Sequence, residues 1–433
     1  MSTGKAPSVI TSGGTRWQRA RRFALRTAVL CSIAYVCAYF FGAQRELVTR
    51  VSGSCRGTFY FNAMPTQLTP DFIRPSRIYA YDCASGKATV LASSVFSQLY
   101  AVGLAPDSNL MYFEELTGLS VRQKSIWKVG RERHSTLVYK NDDLDMHDVL
   151  VDPRDKSLIV ILNELDHESL PGRNVRHQST ARISPDRKIT EIWSSRGKFT
   201  DGYARAPSDD EIGWKSKVKT ALAQRLAAAG VKLPLKLPLG LGTISYRTED
   251  YFHQNAMEPT PSGDLLLSSR HQEALLLLDP RLGRVRYAIG RHQFSGIPTR
   301  DVTGDPWRIF GHQHSPRYLD DTTLAVFDNH NTDHPDESRV VLYEVPRDEG
   351  KPLAFLTQFV EPNKAYRPAM GSVAKLDPDR ILVDWGAVRR EDRDRPQRAI
   401  SVINTKSGKE EFSLDLAPGY HSYRAVYSDA IAR

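Results

Sequence analysis

His253–His271 reads HQNAMEPTPSGDLLLSSRH. A segment opens on a histidine, reaches a Pro-Ser-Gly-Asp turn at Pro261–Asp264, and returns as the apolar run Leu265–Leu267. Gly and Asp at such a turn supply the backbone angles that reversal demands, and the short apolar run between turn signals reads as a buried strand. A hairpin of this kind carries His253, Asn255 and Arg270 toward one pocket. The same theme recurs: an opening segment, a Pro/Asp/Gly turn, an apolar strand, then further strands. Copies begin near Ile78 (IYAYDCASGKATVL), Leu99 (LYAVGLAPDSNLMYF), His147 (HDVLVDPRDKSLIVIL), His253, His314 (HSPRYLDDTTLAVF) and Met370 (MGSVAKLDPDRILVDWG). Roughly 55–60 residues separate His253 from His314 and His314 from Met370, the length of a four-stranded unit. About six copies therefore predict an all-β, six-bladed β-propeller over residues 55–433. A β-sandwich has the same strand density but lacks this repeating order.

One stretch departs from the strand pattern. Trp214–Ala229 (WKSKVKTALAQRLAAA) has helical composition, stops at Gly230 and is followed by Pro234 and Pro238, the usual end signals of a helix. It predicts a helical insertion over about 200–247, which either caps a blade edge or lies over the site or the membrane.

Outside the repeats, charge is concentrated at the N-terminus. The 433 residues hold 59 Lys+Arg against 50 Asp+Glu, a formal net charge of +9. Eight of those basic residues and one acid, Glu46, lie in residues 1–50, leaving 51 basic against 49 acidic in the rest. The body is nearly neutral, so the electrostatic footprint of a nucleic-acid-binding protein is missing. Residues 1–22 form a basic tail, and residues 23–43 follow with the uncharged run Ala28–Ala43. With Arg26 snorkelling toward the headgroups, the segment reaches roughly 20 residues, enough for one bilayer crossing. Six basic residues precede the run and Arg45 and Arg50 follow it. That asymmetry predicts a single-pass anchor with a cytoplasmic N-terminus and an extracytoplasmic body, on the periplasmic or extracellular face. A cleaved signal peptide competes with this, but Phe41 stands where a small residue belongs in the cleavage site. Beyond the anchor, Cys55 and Cys83 meet an oxidising compartment and can pair or remain free thiols; no Cys-x-x-Cys motif supports zinc.

The chemistry rests on the histidines. Imidazole is a base and nucleophile near neutral pH, and arginine is a fixed cation with a planar fork of donors. His147, His253 and His314 stand at equivalent starts of repeated units and converge if the inner strands line a channel. With Arg270 and Asn255 they suit a small tetrahedral oxyanion. His312-x-His314 also fits a metal-binding pair on one strand face, although Arg270 repels a divalent cation.

These residues resemble the bacterial, PAPS-independent arylsulfotransferases. That family shows a His-x-Asn strand, a Ser-Ser-Arg-His strand, a Gln-His, a Phe-Asp-Asn strand and a Met-Gly-Ser-Val segment in this order. Here they are His253-Gln-Asn255, Ser268-Ser269-Arg270-His271, Gln313-His314, Phe327-Asp328-Asn329 and Met370-Gly-Ser-Val373, preceded by His147-Asp148. The resemblance runs over roughly Met146–Arg424 and implies a six-bladed propeller. It implies that His314 is the nucleophile, sulfonated in a ping-pong cycle, and that His253, Asn255, Arg270 and His147 bind the sulfuryl group and stabilise its charge. The reaction expected is transfer from an aryl sulfate donor to a phenolic or other hydroxyl acceptor, without cofactor or metal, while the natural donor and acceptor are not specified by the resemblance. The short stretch between the apolar run and the first repeat resembles the shorter, membrane-anchored branch. A propeller that only binds a ligand or partner, and a metal-dependent hydrolase or lyase on the same scaffold, are the competing readings.

Overall fold

The computed structural model describes residues 46–428 except 67–74, 95–96, 106, 108, 119–120, 131–132, 171–172, most of 200–247 and 330–336; it also describes most of 20–30. Six antiparallel sheets stand around an axis as blades, so the chain is an all-β six-bladed propeller. From the axis outward, blade 2 is Ser97–Leu104, Leu110–Gly118, Val121–Val129 and Ser135–Lys140; blade 3 is Leu144–Val151, Leu158–Leu170, Arg173–Ile183 and Ile189–Ser194. Blade 4 is Gln254–Pro259, Leu265–Ser269, Ala274–Asp279 and Arg284–Gly290; blade 5 is His314–Tyr318, Thr323–Asp328, Arg339–Glu344 and Leu353–Val360. Blade 6 is Ser372–Asp377, Arg380–Asp384, Gln397–Asn404 and Glu410–Leu416.

Blade 1 shows how the ring closes. Its Thr58–Pro65, Ser76–Asp82 and Lys87–Ser94 take their innermost partner from the far end of the chain, Ala425–Ser428. Val48–Gly53 in turn adds a fifth, outermost strand to blade 6. Both chain ends therefore cross the same seam. This is why the copy starting at Ile78 is offset from the others: Ile78 lies in the second of the three consecutive strands of blade 1, and the innermost strand of that blade is supplied by the C-terminal segment.

The central strands are buried on both faces, because each blade is sandwiched between two neighbours. Leu265–Ser269 and Ala274–Asp279 are buried at every position, whereas the outer strand Arg284–Gly290 exposes its first residues. This explains why Leu265–Leu267 reads as a continuous apolar run and not an alternating one. One apolar cluster fills each of the six interfaces. Between blades 4 and 5, for example, Leu266, Leu275 and Leu277 meet Leu324, Val326 and Val341. At the seam between blades 6 and 1, Phe59, Phe61, Tyr79 and Tyr81 meet Leu382, Val402 and Phe412. Cys55 and Cys83 form a disulfide there, with Cα atoms 5.3 Å apart.

No helix among the described residues is long and apolar enough to cross a membrane. Residues 31–45, most of the apolar run, lie outside the described residues, as does nearly all of Trp214–Ala229, of which Leu222, Arg225 and Leu226 are helical.

Candidate active site

The inner strands of consecutive blades touch in a closed ring, and the segments that lead into them carry the histidines. His147 lies on the inner strand of blade 3, His253 just precedes that of blade 4, and His314 begins that of blade 5. The rings of His147 and His253 lie 4.9 Å apart, and that of His271 lies 4.5 Å beyond His253. Backbone at positive φ is concentrated here, at His253 (49°), Glu273 (48°), His312 (47°), Ser315 (46°) and Met370 (68°). Side chains other than glycine rarely accept such angles, and they persist where surrounding contacts over-determine them.

Each of the three histidines has its Nδ1 engaged from behind. His147 Nδ1 meets Asp145, two residues earlier on the same strand face, and Asn163 and Gln178 donate to the other carboxylate oxygen at 3.0 and 3.2 Å. Burial alone raises the Asp145 pKa, but the His147 ring beside it holds the carboxyl well below the usual range. His253 Nδ1 lies 2.7 Å from Asp250 Oδ2. Burial opposes ionisation of Asp250 as well, and His253, Arg176 and His271 outweigh it. His253 itself is pushed below the ordinary imidazole pKa by burial, an effect that Asp250 only partly offsets.

His314 differs, because its partner is neutral. Nδ1 lies 2.6 Å from Asn329 Oδ1, while Asn329 Nδ2 donates to the carbonyls of Arg367 (2.9 Å) and Met370 (2.8 Å). With both amide hydrogens spent on carbonyls, the Asn329 oxygen must face the ring, so Nδ1 carries the proton and Nε2 the lone pair. Nε2 accepts one hydrogen bond, from the Met370 amide at 3.3 Å. Burial drives the His314 pKa well down, and the charges of Arg270 and His147 add to the effect. A neutral imidazole with a defined lone pair results.

Arg270, at the end of the second strand of blade 4, is oriented by Nη1 against His271 Nε2 at 2.7 Å and by Nη2 donating to Pro368 O at 3.2 Å. His271 Nδ1 is bonded in turn to the Asp250 carbonyl. Burial, with His253 and Arg270, lowers the His271 pKa to about 3, so it accepts from Arg270 as a neutral ring. Asn255 is fully buried; its Nδ2 donates to Gln313 O at 2.7 Å and its Oδ1 has no hydrogen-bond partner. Just past the histidines along the inner strands, Asp148 binds Arg424, Arg317 (3.3 Å) and the Met257 amide (2.9 Å), tying blades 1, 3, 4 and 5 together. Asp328 accepts from the Gly311 amide at 2.9 Å and from Arg339 Nε at 2.9 Å, which braces the loop leading into His314.

His147, His253, His314, Asn255 and Arg270 thus gather around the ends of the inner strands. His312 does not join His314 as a metal pair: positive φ at His312 and Ser315 breaks the strand alternation, and His312 Nε2 turns toward Glu273 at 3.9 Å. The one cluster among the described residues with metal-ligand spacing is Asp250, His253 and His271. Both ring nitrogens of His271 are already engaged, one of them by a guanidinium. A cation bound there would require His271 to give up one of these bonds. The orienting groups Asp145, Asp250, His271 and Asn329 were not singled out as site residues from the sequence. Their signals were present as Asp-x-His, Asp-x-x-His, and the motifs containing Arg270-His271 and Asp328-Asn329.

Fold and site together define a propeller with a buried neutral imidazole and a guanidinium among the histidines at one end of its inner strands. A family model described as Arylsulfotransferase (ASST) matches residues 108–427. The chain belongs to this arylsulfotransferase family, and membership supports sulfuryl transfer as its general activity. No curated protein matches the chain. Among solved structures, TolB from Acinetobacter baumannii is similar at 10% identity and a TM-score of 0.44, covering 85% of this chain and 66% of that one. A protein of unknown function from Bacteroides caccae is similar at 9% identity and a TM-score of 0.43, covering 85% and 99%. Likenesses this distant carry no argument about function.

Proposed function

We propose that this chain moves a sulfuryl group from an aryl sulfate donor to a phenolic or other hydroxyl acceptor through a sulfohistidine at His314. The observation that carries the reading is the Asn329 clamp, which commits the Nδ1 proton of His314 and keeps the Nε2 lone pair within reach of the Arg270 charge. In the first half-reaction Nε2 attacks sulfur. The sulfur–oxygen bond to the aryl group breaks, and its electron pair leaves with the phenolate oxygen, which takes a proton from protonated His253. In the second, the acceptor hydroxyl attacks sulfur, gives its proton to His253, and the nitrogen–sulfur pair returns to Nε2. Charge spreads over three sulfuryl oxygens in both steps, so catalysis is mostly positioning plus donors aimed at those oxygens. Arg270 is the donor in this reading; Asn255, whose Nδ2 is bonded to Gln313 O, and His147 stand beside it and position the group.

Incubating the extracytoplasmic domain with an aryl sulfate and trapping an acid-labile modified histidine tests this. Labelling is expected in the native protein and absent in His314→Ala. A His314→Ala protein that is still labelled moves the nucleophile elsewhere, with His253 first in line. A native protein that is never labelled but binds aryl sulfates is a binding propeller. A requirement for a bound divalent metal, found by metal analysis, points to hydrolase or lyase chemistry at Asp250, His253 and His271 instead.

We place the protein at a membrane, held by residues 23–43 with the propeller on the extracytoplasmic side. The support is the basic asymmetry around Ala28–Ala43 together with the Cys55–Cys83 disulfide, a bond that persists in oxidising compartments. A reporter fused after Gly53 should read as extracytoplasmic; a cytoplasmic signal would remove the anchor from the account.

A further inference from the structure

His314 has a backbone neighbour, in the Met370-Gly-Ser-Val373 segment, to which the motifs assign no role. The amide of Met370 points at His314 Nε2 from 3.3 Å, and this peptide is held in place from every side. The carbonyl of Ala369, the other end of the same peptide plane, accepts from the Ala387 amide at 2.9 Å. A trans peptide directs its C=O and N–H oppositely, so fastening the carbonyl toward Ala387 aims the amide at the histidine. The next peptide is fixed as well: Met370 O accepts from Asn329 Nδ2 at 2.8 Å, and the Gly371 amide donates to Tyr423 O at 3.2 Å. The turn carries φ of 68° at Met370 and 94° at Gly371. It is closely packed, since a Cβ on Gly371 would lie 2.6 Å from the Phe327 ring and one on Gly386 would lie 2.6 Å from the Gly371 nitrogen. Asn329 thus grips both the ring and the turn, fixing the amide relative to the nucleophile.

We infer that the Met370 amide is a catalytic donor whose hydrogen bond passes from the Nε2 lone pair to a sulfuryl oxygen as sulfur is transferred. This rests on the sulfuryl-transfer reading above. Before reaction the lone pair accepts this hydrogen bond at a long distance. When Nε2 forms its bond to sulfur, the pair is consumed and the amide loses its acceptor. Sulfur enters beside this long N–H contact and not along it, so a sulfuryl oxygen comes within reach of the N–H as the lone pair is drawn away from it. The negative charge that this donor meets in transfer is greater than that on a neutral imidazole nitrogen. The interaction therefore strengthens on the way to the transition state, which is the condition for catalysis as opposed to binding. No atom of the backbone changes bonding. The nitrogen–sulfur bond forms from the Nε2 pair, and the aryl oxygen leaves with the pair of the bond that breaks.

The test is an amide-to-ester replacement at residue 370, which installs the hydroxy-acid analogue of methionine and deletes the N–H while keeping the side chain. The readout is single-turnover labelling of His314 by an aryl sulfate, with donor affinity measured on the same samples and a melting curve to verify the fold. The labelling rate constant is expected to fall by roughly 10²-fold, toward the lower end of the loss seen on removing one oxyanion donor, with donor affinity changed little. Labelling at the native rate overturns the inference and leaves the sulfotransferase reading intact. A loss confined to donor affinity overturns it too, because the amide would then serve the ground state alone. A native protein that no aryl sulfate labels takes down both readings together.

Discussion

At the scale of single residues, the site separates what a histidine touches from what it does. His147 and His253 lean on carboxylates, Asp145 and Asp250, whereas His314 leans on an amide. A carboxylate favours the imidazolium, so it suits a group that carries protons; an amide fixes the tautomer without adding charge, so it suits a nucleophile. The lowered pKa values have a definite sign in the kinetics. Burial and the nearby Arg270 charge hold the His314 pKa well below the ordinary imidazole value, which favours the neutral ring. His253 must be protonated to assist a departing phenolate, and its pKa lies below the ordinary imidazole value, so the assisting form grows as pH falls toward that value. The ratio of labelling rates for a good over a poor leaving group should therefore rise with pH, and His253→Ala should remove that dependence while slowing poor donors most. A ratio flat across pH in the native protein would take the proton-carrying role away from His253. Arg270→Ala should lower the rate of labelling by roughly 10²–10³-fold, the loss of one preorganised charge-stabilising donor. Native rates in that variant would show that the guanidinium serves only structure.

At the scale of elements, the inner strands place the chemistry and the connections above them frame it. The chain segment from Ser195 to His253, which joins the outer strand of blade 3 to the inner strand of blade 4, spans the insertion expected at about 200–247, most of it outside the described residues, and returns through Asp250 directly into His253. Leu158–Leu170 and Arg173–Ile183 form the longest hairpin of the described residues. Its Arg176 reaches Asp250 at 3.3 Å, and its Asn174 and Val175 pair with Thr248 and Glu249. Blade 3 thereby holds Thr248–Asp250 next to His253. Deleting the insertion should change selectivity among phenolic acceptors and leave donor-dependent labelling measurable, because none of the residues proposed for sulfuryl transfer lies within it. A folded deletion variant with no labelling would show that it serves the chemical step. The repeating order of turns and apolar runs was legible in the sequence because central strands are buried on both faces and need uninterrupted apolar residues, as at Leu265–Leu267. The orientation of His314 was not. It depends on Asn329 and Met370 from other strands and loops, and on positive φ at His312 and Ser315 that breaks strand alternation, and no period along the chain reports either. The offset of the first copy escaped for a similar reason, since its innermost strand is donated by the opposite end of the chain.

At the scale of the whole molecule, stability depends on the seam between blades 6 and 1, where the ring is closed by strands far apart in sequence. Val48–Gly53 pairs with Glu410–Leu416, and Ala425–Ser428 pairs with Thr58–Pro65. Closing so long a chain costs entropy that local contacts cannot offset early in folding. The Cys55–Cys83 disulfide sits at this crossing: it joins the segment leaving the outermost strand of blade 6 to the turn that follows Ser76–Asp82 in blade 1. It closes a sequence separation of 28 residues, for which the chain-entropy account gives about 3–4 kcal/mol of stabilisation. Replacing both cysteines by serine should therefore lower the unfolding free energy by roughly that amount, and reducing agent should do the same to the native protein and nothing to the variant. Because neither cysteine approaches His314, labelling of the folded variant at low temperature should match the native rate. A variant of unchanged stability would mean that the two paired ends hold the seam without the covalent bond. A stable variant that has lost labelling would mean instead that strain at the seam reaches the inner strand Ala425–Ser428 and, through the preceding Tyr423, whose hydroxyl donates to the His147 carbonyl at 3.2 Å, the site itself.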